Sequence, residues 1–171
     1  MQKDNRLYQL AENVLKNSVK LKKGEKIYIE AFGPAVLDLM EIFIRKATEL
    51  GGVPFYFYND EHLLKAVIDN ASEEQMKAFG ETYRQQMASS DVYVALRGYD
   101  DIFALSDVNE RQMALYMQHY YNPVHRSTRV PRTRWCVMRY PNQAMAALAK
   151  MSVEAFENFY FCLLYTSPSP R

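Results

Sequence analysis

The chain carries three histidines and two cysteines, few enough to weigh one by one as possible metal ligands or acid–base groups. His62 follows Asp60 and Glu61 at a charged helix start, and reads as a solvated polar residue. His119 and His125 are six positions apart across Tyr120-Tyr121-Asn122-Pro123. A metal pair on one helix needs a spacing of three or four with a carboxylate close by, and neither is present. Cys136 and Cys162 are 26 positions apart, which is neither a zinc pair nor a disulfide framework and suits a reducing compartment. Cys136 lies in an apolar run, where a thiol behaves as a small buried hydrophobe.

Other chemistries find no better support. Gly33 follows an apolar run, but Phe32-Gly33-Pro34-Ala35 has no second or third glycine for a dinucleotide fingerprint. It also lacks the lysine and hydroxyl of a phosphate loop, so it reads as an ordinary strand-to-helix turn. No Gly-x-Ser-x-Gly turn is present, so no nucleophilic serine can be nominated. Glu73-Glu74 and Asp100-Asp101 are adjacent acidic pairs, and the first opens a helix, where carboxylates are favoured in any case. No catalytic, cofactor-binding or metal-ligating residue is therefore nominated in this chain.

One segment stands out. Between Glu110 and Glu154 there is no acidic residue, while Arg111, Arg126, Arg129, Arg132, Arg134, Arg139 and Lys150 all fall there. Tyr116, Tyr120, Tyr121, Trp135 and Tyr140 are interleaved with them. Arginines among aromatics suit a protein interface, where both are enriched. They also suit single-stranded nucleic acid, the lesser reading.

The elements that would position these residues alternate in period. Leu7, Leu10, Ala11, Val14 and Leu15 fall at helical spacing. A turn at Lys23-Gly24-Glu25 leads into a strand, Lys26 to Ala31. Pro34 opens a helix that carries Val36, Leu37, Met40, Phe43, Ile44 and Ala47, and stops at Gly51-Gly52. Val53 to Tyr58 is the second strand, followed by a short helix through Leu63, Leu64, Val67 and Ile68. Ser72 and Gln75 have capping-box spacing before a helix with Met76, Phe79, Tyr83 and Met87 on one face.

Asp91 to Arg97 is the third strand, and Asp107 and Glu110 mark the start of a helix through Met113, Met117 and Tyr120. Asn122 to Thr133 reads as irregular, and Arg134 to Arg139 as the fourth strand. Two helices close the pattern, Gln143 to Lys150 and, capped by Ser152, Val153 to Phe161. The spacing of the strands predicts right-handed crossovers. The fold class is therefore α/β, a mainly parallel sheet of at least four strands with helices on both faces. The strands at Ile27 and Val92 are apolar enough for its centre.

Length and composition agree. The 171 residues, 49% hydrophobic and 24% charged, fit one globular domain. A net charge of +1 offers no general attraction to nucleic acid or an anionic membrane. No apolar run reaches the roughly 18 residues that a membrane span needs, and the charged start MQKDNRLYQLAENVLK is no signal peptide. A soluble cytoplasmic protein is expected.

Several blocks together carry a resemblance. They are Leu10-Ala11, Ser18 to Lys26, Asp91 to Gly98, Asn122-Pro123-Val124-His125, Trp135 to Ala146 and Leu148 to Phe159. In register over roughly residues 5 to 161, the chain resembles the thermophilic-type two-metal aminopeptidases, the aminopeptidase T and S group. The resemblance implies an α/β amino-terminal domain followed by a larger catalytic domain. It also implies a homodimer that removes amino-terminal residues from peptides with two divalent metal ions, of zinc or cobalt type.

The family's ligands (glutamates, histidines and an aspartate) and its catalytic tyrosine belong to the second domain, and none has a counterpart here. His125 matches a family position that is not a metal ligand. The expectation is thus an amino-terminal domain over residues 1–161 that binds no metal and is inactive alone, the catalytic domain being absent. The arginine-rich stretch would face that domain or a second subunit. The last stretch, Cys162 to Arg171, ends in Ser-Pro-Ser-Pro, resembles translated sequencing adapter, and is expected to be foreign. The rival reading is a stand-alone binding or regulatory module that uses residues 111–140.

Overall fold

The structure is a computed structural model that describes residues 5–99, 101 and 103–166. Helix α1 (Asn5–Asn13) buries Leu7, Leu10 and Ala11 and continues in a wide turn, Val14–Ser18. Strand β1 (Lys26–Phe32) follows the turn at Gly24, whose φ of +83° suits glycine. A short 3₁₀ turn, Pro34–Val36, leads into α2 (Leu37–Glu49). Then come β2 (Val53–Asn59), α3 (Glu61–Asn70), α4 (Glu73–Ala88) and β3 (Val92–Arg97). Helix α5 (Glu110–Tyr116) runs into a wide-turned helical segment, Met117–Arg129, and a last helical turn, α6 (Val130–Arg132). Strand β4 (Arg134–Arg139) and helices α7 (Gln143–Leu148) and α8 (Val153–Thr166) complete the chain.

The four strands form one parallel sheet in the order β2-β1-β3-β4. β1 and β3 are central, as their apolar runs predict, and Ile27, Ile29, Val92, Val94 and Leu96 are fully buried. Pro54 is tolerated because β2 is an edge strand that pairs only with β1 among the described residues.

Alternation along the strands divides the core in two. On one face Ile27, Ile29, Ala31, Val92, Val94 and Leu96 pack against α1, α2 and Phe161 of α8. On the other, Tyr28, Tyr93 and Ala95 meet Ile68 of α3, Met76 and Met87 of α4, and Tyr120 and Val124 of the wide-turned segment. Each fully buried Ile, Leu or Phe contributes roughly 1.5–3 kcal/mol of transfer free energy.

Caps fix the helix starts. Asp60 Oδ1 accepts from the N–H groups of His62 (2.9 Å) and Leu63 (3.2 Å). Ser72 and Gln75 form the reciprocal capping box that their spacing predicts. Ser152 Oγ accepts from the N–H of Ala155 at 3.2 Å.

Three sequence expectations need correction. Asn109, not Asp107, caps α5, through an N–H bond from Arg111 of 2.9 Å. Residues 122–133 are helical over most of their length rather than irregular, although Pro123 lies inside. Here tertiary packing overrides a local breaker. Gly80 of α4 has no side chain where a Cβ would stand 1.8 Å from the carbonyl oxygen of His119. The two backbones therefore meet, and the segment is held helical against α4. Finally, α8 runs past Phe161 to Thr166.

A candidate ligand pocket at the carboxyl edge of the sheet

In a parallel sheet the strand carboxyl ends lie together. The order β2-β1-β3 places a switch point between β1 and β3, the usual ligand crevice of such folds. Here the crevice is closed at its centre by two glycines. A Cβ on Gly33 (φ +80°) would lie 2.6 Å from the Gly98 carbonyl oxygen, and one on Gly98 would lie 2.7 Å from Val36 Cγ1. With a carbonyl oxygen against it, the turn at Gly33 is structural rather than an anion cradle.

The open space lies beside this closure, on the α3–α4 face. The last register position of three strands sets its floor, with Asn59, Phe32 and Arg97 side by side. A cavity of about 250 Å³ opens there. Its aromatic wall comes from Phe79 of α4 and from Tyr116, Tyr120 and Tyr121. Tyr116 stacks on Tyr120 with ring centres 5.2 Å apart, and Phe79 lies 5.2 Å from Tyr120. Tyr99 meets Phe32 edge-on at 6.1 Å. The rim carries Asp60, Glu61 and Asp101.

Beneath the floor is a carboxyl group that sequence reasoning missed. Glu30, in the middle of β1, is 1% exposed. It accepts a hydrogen bond from Tyr93 Oη at 2.5 Å and another from Asn59 Nδ2 at 2.5 Å. Burial raises its pKa; the two hydrogen bonds and the guanidinium groups of Arg97 and Arg129 act in the opposite sense. The signal was present in the sequence, because Glu30 is the one acidic residue in an apolar central strand. A charge there has to be paired or neutral.

Around Glu30 the tyrosines are held firmly as phenols. Desolvation, then the Glu30 charge, raises Tyr28, Tyr93, Tyr116 and Tyr120 above the ordinary phenol range. His125 is buried against Tyr93, Tyr120 and Tyr121, with ring centres 6.2, 5.7 and 5.3 Å away. Burial first, then Arg129 and Arg97, lower its pKa to about 4. It is a neutral ring that supports the pocket wall.

The remaining sequence candidates are dispersed. His62 is exposed. His119 Nε2 lies 3.5 Å from Glu73 Oε1, and Glu73 also pairs with Lys77 at 2.7 Å. Glu73 and Glu74 occupy the first turn of α4. Asp101 accepts from the Phe103 N–H at 2.8 Å, while Asp100 lies outside the described residues. Cys136 packs against the core, and burial raises its thiol pKa, the reverse of a nucleophile's requirement.

The arginine-rich stretch does not act as one patch. Arg134 binds Glu25 and donates to the Val19 carbonyl at 2.8 Å. Arg129 lies between the rings of Trp135 (4.6 Å) and Tyr93 (5.2 Å), whereas Arg126, Arg132 and Arg139 are exposed. Among the described residues no three His, Cys, Asp or Glu side chains come together as a metal ion requires. No described helix is long and apolar enough to cross a membrane.

Comparison with known proteins gives three findings. The profile of a family described as thermophilic metalloprotease (M29) matches residues 3–168, past the point where the sequence reading ends the resemblance. No curated protein sequence matches the chain. Among solved structures, wild-type AmpT from Thermus thermophilus aligns with a TM-score of 0.62 at 16% identity, over 86% of this chain and 41% of that one. A LacI-family transcription regulator of Corynebacterium glutamicum aligns at a TM-score of 0.41 and 14% identity, over 94% and 54%, too loosely to carry an argument.

Proposed function

Because this chain belongs to the thermophilic metalloprotease family (M29), we propose that it is the amino-terminal α/β domain of a metal-dependent aminopeptidase. On this reading residues 1–161 form the domain, and the catalytic half is a second domain absent from this chain. The observation that carries it is the family match over residues 3–168, in a chain that spans 41% of AmpT. The AmpT likeness supports the fold. The two divalent ions, of zinc or cobalt type, belong to the second domain. The whole protein is a cytoplasmic homodimer that takes peptides as substrate. The exposed Arg126, Arg132 and Arg139 face the second domain or the partner subunit, and the last residues, from Cys162, are foreign to the domain.

Two measurements test this. The purified chain, given an aminoacyl p-nitroanilide with zinc or cobalt, is expected to show no turnover above buffer; metal-dependent turnover that survives repurification would refute the inactive-domain reading. Long-read sequencing of the locus beyond the codon for Phe161 is expected to continue the frame into a domain with glutamate, histidine and aspartate ligands. One observation favours the rival, a stand-alone binding module. Tyr116, Tyr120 and Tyr121, all within residues 111–140, wall the pocket. A reading frame that ends at Arg171 in the genome would make that account the leading one.

A further inference from the structure

The ionic groups of the pocket are already engaged within the protein. Asp60 accepts the N–H groups of His62 and Leu63 at 2.9 and 3.2 Å, and Asp101 accepts that of Phe103 at 2.8 Å. Glu61 has a partner of its own. Arg97 lies 5.7 Å from the centre of the Phe32 ring, and its charge acts on Glu30 beneath the floor. His125 is a neutral ring, its pKa lowered to about 4. A charged ligand would give up its hydration for groups that already have partners, and that costs it affinity. An uncharged ligand bears no such cost.

What the cavity offers instead is rings. Phe32, Phe79, Tyr99, Tyr116, Tyr120 and Tyr121 all line it. Phe79 and Tyr116 each lie 5.2 Å from Tyr120, and Phe32 lies 6.1 Å from Tyr99, separations at which aromatic pairs attract. A ring placed among them extends the set, each new pair adding roughly two- to tenfold in affinity over an aliphatic group of equal size. Tyr116 and Tyr120, held as phenols by burial, can donate to or accept from a single hydroxyl or ring N–H. At about 250 Å³ the cavity exceeds the roughly 150 Å³ that holds benzene in an engineered core. It falls below the roughly 300–1,000 Å³ of sites for drug-sized ligands. We propose that this pocket binds a small, uncharged aromatic molecule of one ring or two fused rings. The assignment stands on the pocket alone and does not depend on the peptidase reading.

The test is an NMR titration of the full chain at neutral pH with four probes of matched size: benzyl alcohol, cyclohexylmethanol, benzylammonium and benzoate. Saturable binding of benzyl alcohol is expected, with the shifts centred on Leu64, Phe79, Leu105 and Tyr121, which line the cavity. Cyclohexylmethanol should bind roughly two- to tenfold more weakly, and each ion roughly tenfold or more. Phe79→Leu keeps an apolar side chain but removes one ring of the wall. It is expected to weaken benzyl alcohol by roughly two- to tenfold while leaving cyclohexylmethanol nearly unchanged. Ala104→Phe fills the cavity from its lining and should abolish saturable binding. Circular dichroism checks the fold of both variants. No saturable binding of benzyl alcohol by the parent chain overturns the proposal, as do shifts centred away from the cavity. Cyclohexylmethanol binding as tightly as benzyl alcohol also overturns it, marking a merely apolar space, and so does either ion binding as tightly. Unchanged affinity for benzyl alcohol in folded Ala104→Phe places the site elsewhere and has the same force.

Discussion

Acidification should destabilise this domain through His125. Its imidazole is 8% exposed, ringed by Tyr93, Tyr120 and Tyr121, and faced by the guanidinium groups of Arg129 and Arg97. Desolvation and those two cations lower its pKa from 6.5 to about 4. The unfolded chain therefore takes up the proton at a higher pH than the folded one, and stability falls as pH falls. The contribution is whole above pH 6.5 and is lost progressively down to about pH 4.

At about 1.4 kcal/mol per pKa unit, the full loss is about 3 kcal/mol, and about 2 kcal/mol of it is gone by pH 5. That is a large part of a typical domain's 5–15 kcal/mol. Glu30, whose pKa burial raises, acts on stability with the opposite sign, so the parent curve alone does not isolate His125. The assay is urea unfolding of the parent and of His125→Phe at pH 7.5 and pH 5, and the quantity read is the difference between the two proteins. The variant's deficit should shrink, or its advantage grow, by about 2 kcal/mol at the lower pH. Parallel pH dependences would refute the reasoning, because His125 would then accept its proton in place.

Two further outcomes follow from packing and burial. Gly80→Ala gains up to about 1 kcal/mol of helix propensity. It also drives a methyl to 1.8 Å from the His119 carbonyl oxygen, an overpacking that costs more. A net loss of about 1–3 kcal/mol, or roughly 2–10 °C in thermal midpoint by circular dichroism, is expected, and a higher midpoint contradicts the described contact. For Glu30→Gln, the folded carboxyl pKa is raised above 4.5. The parent is thus most favoured below that value and loses stability as pH rises toward the folded pKa. Denaturant midpoints at pH 4.5 and pH 8 should show the glutamine variant gaining on the parent at the higher pH, and an unchanged gap argues that Glu30 ionises freely in the folded state.

Much of this molecule was legible in its sequence because local physics decided it. The apolar runs at Ile27 and Val92 could be buried on both sides only as central parallel strands. Ser72 with Gln75 wrote its own helix start. Pro34 and Gly51, which has a φ of +80°, bracketed α2 for reasons of backbone geometry. Family membership was readable too, since it rests on long stretches of ordered residue types rather than on any one contact.

Only the tertiary structure decided what stands near what. Asn59, Phe32 and Arg97 are far apart in sequence and become neighbours through strand register. Glu30 acquires its character from Tyr93 and Asn59, residues 63 and 29 positions away. Whether residues 122–133 coil or curl into helix turned on Gly80, more than forty positions earlier, lacking a side chain. Arg129 and Arg134, alike in sequence, part company because one finds two aromatic rings and the other finds Glu25. Turns and periodicities are settled within a few residues. A pocket or a shifted pKa is a sum over contacts that exist only once the chain has closed on itself.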